Sequence, residues 1–240
     1  IPITETDTPL PEIAEESRPS CRGANLFVFS VSQPGLYTLN VRTGLIRQSD
    51  ATWTLFRHGE KEKLAEGQLT PPGPHELQLD LPEAGVYQIR IKAGAMAVRM
   101  GFTGPGGLVA SRRQPAHVIG GVGRLYFYVP QGTPGFALQL RSPDGLVAVT
   151  IFDPEGQSAL KSTGHYAAGE EFAVKVPVGM DGRVWSLSLG RCEDIEGLML
   201  VGVPPYLSQR PEQLLIPREV GSLKESDAHG KTRIRPESGE

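Results

Sequence analysis

The segment Ala84–Ile91, with the sequence AGVYQIRI, decides the fold class of this chain. Its apolar residues Tyr87, Ile89 and Ile91 alternate with polar ones, which is the period expected of a strand with one buried face. The same alternation recurs in residues 37–42 and 185–189. The chain is therefore predicted to contain half-buried strands along its whole length.

Turn sequences separate these strands. Ser142–Gly145 and Asp153–Gly156 both have Ser or Asp first, Pro second and Gly fourth, which is the preference of a type I turn. The 240 residues include 29 Gly and 21 Pro, spread along the chain, which leaves little room for long helices. A short turn near Pro211–Leu215 is the one helical exception expected.

The chain also repeats itself. Four blocks of the first half recur in the same order in the second half, which predicts two copies of one module. The blocks are Leu26–Val31 with Leu125–Val129, Pro34–Arg42 with Pro134–Arg141, Trp53–Phe56 with Val149–Phe152, and Gly85–Ile91 with Arg183–Leu189.

Each copy is expected to hold about seven strands, which is typical of a β-sandwich or jelly roll. The predicted organisation is an extended acidic leader (1–23), a first sandwich domain (24–103), a Gly-rich connection (104–123), a second sandwich domain (124–217) and a disordered tail (218–240). The connection is too apolar for a free linker, so part of it is expected to pack as an extra strand.

Charge and hydropathy exclude two classes of partner. The formal net charge of -3 gives no basic footprint for nucleic acid. No apolar run is long enough to span a membrane. The chain starts at Ile1 rather than Met, so it is interpreted as a processed chain or a fragment from which any signal peptide has been removed. A secreted, periplasmic or cell-surface location is expected.

Residues able to carry catalysis or bind metal show no convincing pattern. The histidines His58, His75, His117, His165 and His229 never stand at metal-ligand spacing, so no metal site and no catalytic residue is predicted. Calcium at Asp144 or Asp153 is a weaker alternative to ordinary turns. Cys21 and Cys192 are either a disulfide or two isolated thiols.

Aromatic side chains are the remaining candidates, because sugar rings stack on exposed aromatic faces. Four candidate ligand-binding residues are Tyr126, Tyr128, Trp53 and Tyr166, and Tyr206 is a further exposed candidate. Tyr126 and Tyr128 alternate with apolar residues and correspond to Phe27 and Phe29 of the first copy. The alternative, which the pattern favours, is packing in the core or between domains for Tyr126 and Tyr128 and packing in the core for Trp53. Trp185, Tyr87 and Tyr37 follow the pattern of core residues.

The succession Pro34–Tyr37, Trp53–Gly59 and Ala84–Ile91 resembles the pre-peptidase C-terminal domains and the carbohydrate-binding-module-like β-sandwiches of secreted bacterial hydrolases. Leu125–Gly132 and Val149–Gly156 look like the same class. The resemblance spans residues 24–205, rests on structural motifs and carries over no catalytic residue. It implies a non-catalytic accessory module that sometimes binds polysaccharide.

Three functions follow from these observations. The favoured hypothesis is an accessory binding or spacer module of a larger exported protein, with polysaccharide as the candidate ligand, rather than an enzyme. The second is a structural subunit whose leader pairs with the sheet edge of a neighbour. The third is a polysaccharide-active enzyme whose site is assembled from loops, with Asp153 or Glu171 as candidate carboxylates.

Overall fold

The computed structural model describes residues 18–44, 51–190 and 193–216. Within these ranges the chain forms eighteen β-strands, no α-helix and a single 3₁₀ turn at Pro211–Gln213, where the sequence predicts one. The all-β prediction is confirmed. The same ranges contain no helix long and apolar enough to cross a membrane.

Parts of the predicted ends lie outside this description. Residues 1–17 of the leader, the predicted tail 218–240, and Cys192 are not among the described residues. The last residues of the leader are structured, because Arg18 is buried and Ser20–Cys21 form a strand.

The strands divide evenly between the two halves of the chain. The first half contributes β1 (Ser20–Cys21), β2 (Ala24–Val31), β3 (Gly35–Gly44), β4 (Ala51–Arg57), β5 (Lys63–Leu69), β6 (Gly73–Leu81), β7 (Gly85–Lys92), β8 (Ala97–Gly101) and β9 (Gly106–Val109). The second half contributes β10 (Ala116–Ile119), β11 (Val122–Val129), β12 (Gly135–Arg141), β13 (Val147–Phe152), β14 (Ser158–Gly164), β15 (Glu170–Lys175), β16 (Arg183–Gly190), β17 (Asp194–Val201) and β18 (Tyr206–Leu207).

These strands build three antiparallel sheets that pack as a sandwich. The eight-stranded sheet has the order β15-β12-β17-β10-β1-β8-β3-β6. A four-stranded sheet, β11-β16-β13-β14, and a six-stranded sheet, β18-β9-β2-β7-β4-β5, form the opposite layer. A bridge between Tyr126 and Ser208 joins those two sheets.

Each layer has a symmetric strand order. If β1 is matched with β10, β2 with β11 and so on to β9 with β18, the strands on one side of the middle repeat in reverse order on the other side. At the middle of the eight-stranded sheet, Cys21 pairs with Val118. At the middle of the opposite layer, Leu108 pairs with Leu207. All four side chains are buried in the core, so the two halves meet through matching strands in both layers.

The register corrects the residue matching between the halves. Phe29 lies opposite Tyr87, and Phe127 lies opposite Trp185. Phe29 therefore corresponds to Phe127, which shifts the sequence matching by one residue. The counterparts of Tyr126 and Tyr128 are Val28 and Ser30, not Phe27 and Phe29, because a shift of one residue moves a side chain to the other face.

The Gly-rich connection 104–123 contains β9 and β10, which confirms the expectation that it packs as additional strand. The connection contributes two strands rather than the one predicted, and they belong to different sheets. β9 lies in the six-stranded sheet and β10 in the eight-stranded sheet. The domain boundaries drawn through this segment stay a proposal.

Aromatic rings hold the two layers together in the second half. Phe136 of the eight-stranded sheet contacts Phe127 at 5.2 Å and Trp185 at 5.3 Å between ring centroids, both in edge-to-face geometry. Such pairs add about 0.5–1.5 kcal/mol to the effect of burial. Trp185 and Tyr87 are core residues as predicted, whereas Tyr37 is only half-buried.

The C-terminal described residues cover the outer face of the six-stranded sheet. Leu215 packs on Val28 and Val109, which are buried although they point away from the main core. The Gln213 side chain donates a hydrogen bond to the carbonyl of Phe102 at 3.0 Å. The end of the second half is thereby fixed onto the first half.

Gly107 provides a test of the central contact between the halves. A Cβ at this position would overlap the carbonyl oxygen of Leu207 and lie 2.8 Å from Ser208 Oγ. We expect Gly107→Ala to lower the free energy of unfolding by about 2–4 kcal/mol, because β18 must move away. Chemical denaturation measures the change.

Gly104→Ala is the matched control, because a Cβ at Gly104 meets nothing within 4 Å. Its effect should stay within about 0.5 kcal/mol. Equal stabilities of the two variants would contradict the close approach of β9 and β18.

Candidate functional site

The outer face of the four-stranded sheet brings the two predicted tyrosines together. Tyr126 and Tyr128 stand two residues apart on β11, so both rings project from the same face, and both are half-buried. Their neighbours Leu125, Phe127 and Val129 point into the core. We call the surface formed by Arg124, Tyr126, Tyr128 and Phe152 the aromatic face.

A small residue, Ser186, lies at the middle of the aromatic face. Ser186 on β16 lies between Tyr126 of β11 and Phe152 of β13 in the cross-strand register. The Arg124 guanidinium lies 4.1 Å from the ring centroid of Phe152, in cation–π geometry. Ser186 is only 4% exposed although it points away from the core, so the side chains around it cover it.

The far end of the aromatic face carries a negative charge. Burial, and secondly the charge of Asp181, raise the pKa of Tyr128 above its ordinary value. The Asp181 carboxylate accepts a hydrogen bond from the Gly132 amide at 2.7 Å, which fixes its position. Tyr128 therefore keeps its phenolic proton at neutral pH and can donate a hydrogen bond.

Trp53 does not belong to this surface. It lies on β4 of the six-stranded sheet, half-buried, with its ring packed against the main core. Its cross-strand partner is Gly67, where a Cβ would come within 2.8 Å of the indole nitrogen. The indole ring thus fills the space left by the glycine.

Tyr166 also lies elsewhere, and its predicted exposure is wrong. The residue is only 8% exposed, and its ring contacts Phe172 edge to face at 5.3 Å. Its hydroxyl lies 2.8 Å from Ser162 Oγ. The ring packs over Gly164, so a residue in a turn sequence reaches the core because its neighbour lacks a side chain.

Tyr206, the remaining aromatic candidate, is half-buried beside the cluster of Val28, Val109 and Leu215. Burial raises its pKa. It contributes to covering the first half rather than to the aromatic face.

Cys21 is a free thiol in this structure and is 1% exposed. Burial raises its pKa to about 12, so it is not a reactive thiolate at neutral pH. Since Cys192 lies outside the described residues, the disulfide between the two stays a prediction.

A charged cluster that the sequence did not reveal lies across the meeting point of the two halves. His117 Nε2 bonds to one oxygen of Asp194, and Arg22 forms an ion pair with the other. Arg141 bonds to Glu196 at 2.5 Å. These residues come from separated stretches of the chain, so no motif of closely spaced residues in the sequence predicts the cluster.

His117, Asp194 and Glu196 have ligand atoms within 4.8 Å of one another, which is compatible in residue type with a divalent metal. Both carboxylates, however, already face arginines, and a cation would have to displace Arg22 and Arg141. The arrangement is that of a salt-bridge network joining the first half to the second.

A groove of about 610 Å³ lies beside this network on the outer face of the eight-stranded sheet. Its polar lining consists of Gln139, Arg141, Glu170, Glu171 and Glu196. The Gln139 amide donates to Glu171, and Arg141 binds Glu196. Three carboxylates against one guanidinium make this groove acidic, in contrast to the aromatic face.

Asp153, the other candidate carboxylate, stabilises its own turn. One of its oxygens accepts hydrogen bonds from the amides of Glu155 and Gln157, both at 2.9 Å. This is Asx-type bonding, which Asp side chains commonly form at the start of a turn.

The Arg141–Glu196 pair gives a pH prediction. The hydrogen bond from Arg141, followed by its charge and those of His117 and Arg22, lowers the pKa of Glu196 despite partial desolvation. A lowered pKa stabilises the fold above the ordinary carboxyl range, and this contribution is lost as pH falls through the lowered value. We expect Arg141→Gln to raise the pKa of Glu196, as measured by NMR titration of its side-chain carbonyl.

The matched control is Arg57→Gln, which removes the ion pair with Glu83 elsewhere on the molecule. It should leave the Glu196 titration unchanged. A Glu196 titration that Arg141→Gln does not move would contradict the assigned cause.

Comparison with known proteins gives little further guidance. No family model matches the chain, and no curated protein matches it. Among solved structures, the chain has a weak structural similarity to the M60 catalytic domain with the CBM51-1 and CBM51-2 domains from Clostridium perfringens ZmpB. The sequence identity is 6% and the TM-score is 0.23. The match covers 82% of this chain and 38% of that one, and at this level it identifies neither a family nor a function.

Proposed function

We propose that the chain is a non-catalytic accessory module of an exported protein and that it binds polysaccharide on the aromatic face. The observation that carries this proposal is the pair Tyr126 and Tyr128, whose half-buried rings project two residues apart from the outer face of one strand. Rings held in this way by a rigid sheet lose little conformational entropy when a sugar stacks on them.

The surroundings of the tyrosines support a polyhydroxylated ligand. Phe152 adds a further ring across β16, and Ser188 and Thr150 supply hydroxyls next to it in the register. Asp181 offers a carboxylate oxygen beside Tyr128, held by the Gly132 amide. Apolar rings flanked by a few fixed polar groups are the usual composition of a small-ligand site.

We further propose that the two halves are copies of one module and that only the second binds ligand. The matching strand orders of the two layers support the duplication. Val28, the counterpart of Tyr126, is covered by Leu215, and Ser30, the counterpart of Tyr128, has no ring. The first half keeps Phe56 at the position of Phe152 but has no aromatic side chain at the position of either tyrosine.

The acidic groove favours one alternative, a polysaccharide-active enzyme. Glu171 and Glu196 line the same groove, and paired carboxylates flank the scissile bond in most glycoside hydrolases. Release of reducing ends from a polysaccharide, abolished by Glu171→Gln with the fold intact, would favour this alternative over the accessory module.

The proposal predicts the behaviour of tyrosine variants. Retention of the chain on an insoluble or immobilised polysaccharide should fall at least about tenfold in Tyr126→Ala/Tyr128→Ala, because each lost stacking contact is worth on the order of 1 kcal/mol. A pull-down on cellulose, chitin, xylan, mannan and polygalacturonate measures it.

Tyr37→Ala is the matched control, since Tyr37 is a half-buried tyrosine of the eight-stranded sheet. It should bind like the unchanged chain, and thermal unfolding verifies that all variants are folded. Retention that the two tyrosine substitutions leave unchanged would refute the aromatic face as the binding surface.

A further inference from the structure

The four strands under the aromatic face carry only positive charge. β11, β13, β14 and β16 contain three basic residues, Arg124, Lys161 and Arg183, and no Asp or Glu. The chain as a whole has 27 acidic residues and a net charge of -3, so this sheet departs from the average composition. The groove on the eight-stranded sheet has the opposite character.

Two of the three cations stand on the outer face with no carboxylate partner in the described part of the chain. Arg183 has Glu155 at 3.9 Å. Among the described residues, by contrast, neither Arg124 nor Lys161 has an ion pair, and the contact that the structure gives Arg124 is its stacking on Phe152. Lys161 is exposed and pairs across the sheet with Thr150.

The position of Arg124 is fixed rather than loose. Its guanidinium crosses β16 to reach the Phe152 ring, and stacking leaves the edge of the guanidinium plane, with its N–H donors, free for an anion. Arg124 also lies two residues from Tyr126 on the same strand. A ligand stacked on Tyr126 therefore lies within reach of this cation.

We propose that the ligand of the aromatic face is an acidic polysaccharide, with carboxylate or sulfate groups that bind to Arg124 and Lys161. This inference rests on the proposed function and narrows it. The sugar rings stack on Tyr126 and Tyr128, and hydroxyl groups reach Asp181 at the opposite end of the face. Charge complementarity thus sets both the class of ligand and its direction along β11.

Nucleic acid, the other polyanion with stacking rings, fits this surface less well. Nucleic-acid affinity depends on the number of phosphates neutralised, and sites commonly use many cations. The outer side of this sheet offers two, Arg124 on the aromatic face and Lys161 on β14, in a chain of negative net charge. Asp181 at the far end would repel the regularly spaced phosphates of a nucleic-acid strand.

Affinity gel electrophoresis of the full chain tests the proposal. The gels contain polygalacturonate for carboxylates, chondroitin sulfate for sulfates, xylan and mannan as neutral polysaccharides, or poly-dT. We expect retardation by at least one acidic polysaccharide, and at least about tenfold weaker binding for Arg124→Gln/Lys161→Gln, the value of one charge-assisted hydrogen bond. Arg124→Lys should bind with intermediate affinity.

Lys175→Gln is the control, since it removes one positive charge from an exposed position on the other layer. Its affinity should change less than about twofold, and binding of the unchanged chain should weaken as salt shortens the screening length.

Each contrary outcome has a distinct meaning. Binding to neutral polysaccharides that is lost in Tyr126→Ala/Tyr128→Ala but kept in Arg124→Gln/Lys161→Gln would overturn the acidic ligand and leave the accessory module standing. Retardation by poly-dT equal to that by the acidic polysaccharides would also overturn it. No retardation in any gel would overturn both proposals.

Discussion

The pairing of matching strands at the middle of both layers is the contact on which the rest of the structure depends. An open sheet edge exposes unpaired amides and carbonyls, and each half would carry such an edge in each layer. Here β1 pairs with β10 and β9 pairs with β18, so each half satisfies the inner edges of the other. The buried side chains of Cys21, Val118, Leu108 and Leu207 then join two small cores into one.

This arrangement also explains why the two outer faces differ. The pairing fixes which surfaces of the halves remain available, and the charged residues distribute over them unequally. Carboxylates gather on β15 and β17, beside β12, where Arg22 pairs with Asp194 and Arg141 pairs with Glu196. Arg124 and Lys161 lie on the opposite layer, away from those carboxylates. The protein thereby has an acidic groove on one layer and, on the other, an aromatic face with Arg124 at one end and Asp181 at the other.

The sequence predicted β3, β7 and β16 because their side chains alternate over five or six residues. It predicted neither β1 nor β18, because two residues carry no period, and their placement depends on partners far away in the chain. The one-residue error in matching Phe27 with Tyr126 had the same origin, since both strands are apolar enough to be matched in either register. Only the cross-strand pairs with Tyr87 and Trp185 decide it.

The candidate site was predictable to a similar degree. Tyr126 and Tyr128 could be placed on one face from their spacing, and the absence of acidic residues from the four strands is visible in the sequence. Tyr166 was misjudged, because a turn sequence does not show that the ring folds back over Gly164. The contact of Arg124 with Phe152 joins residues on β11 and β13, so it required the folded sheet.

The position of the last strand has a consequence for biosynthesis. A ribosome releases β9 long before β18, and until then the free edge of β9 and the apolar surface of Val28 and Val109 face water. The first half can therefore complete its folding only after residues 206–215 have been synthesised and have packed onto it. A nascent chain of this kind exposes the edge of β9 throughout translation of the second half, and an unpaired edge of this kind can pair with another chain.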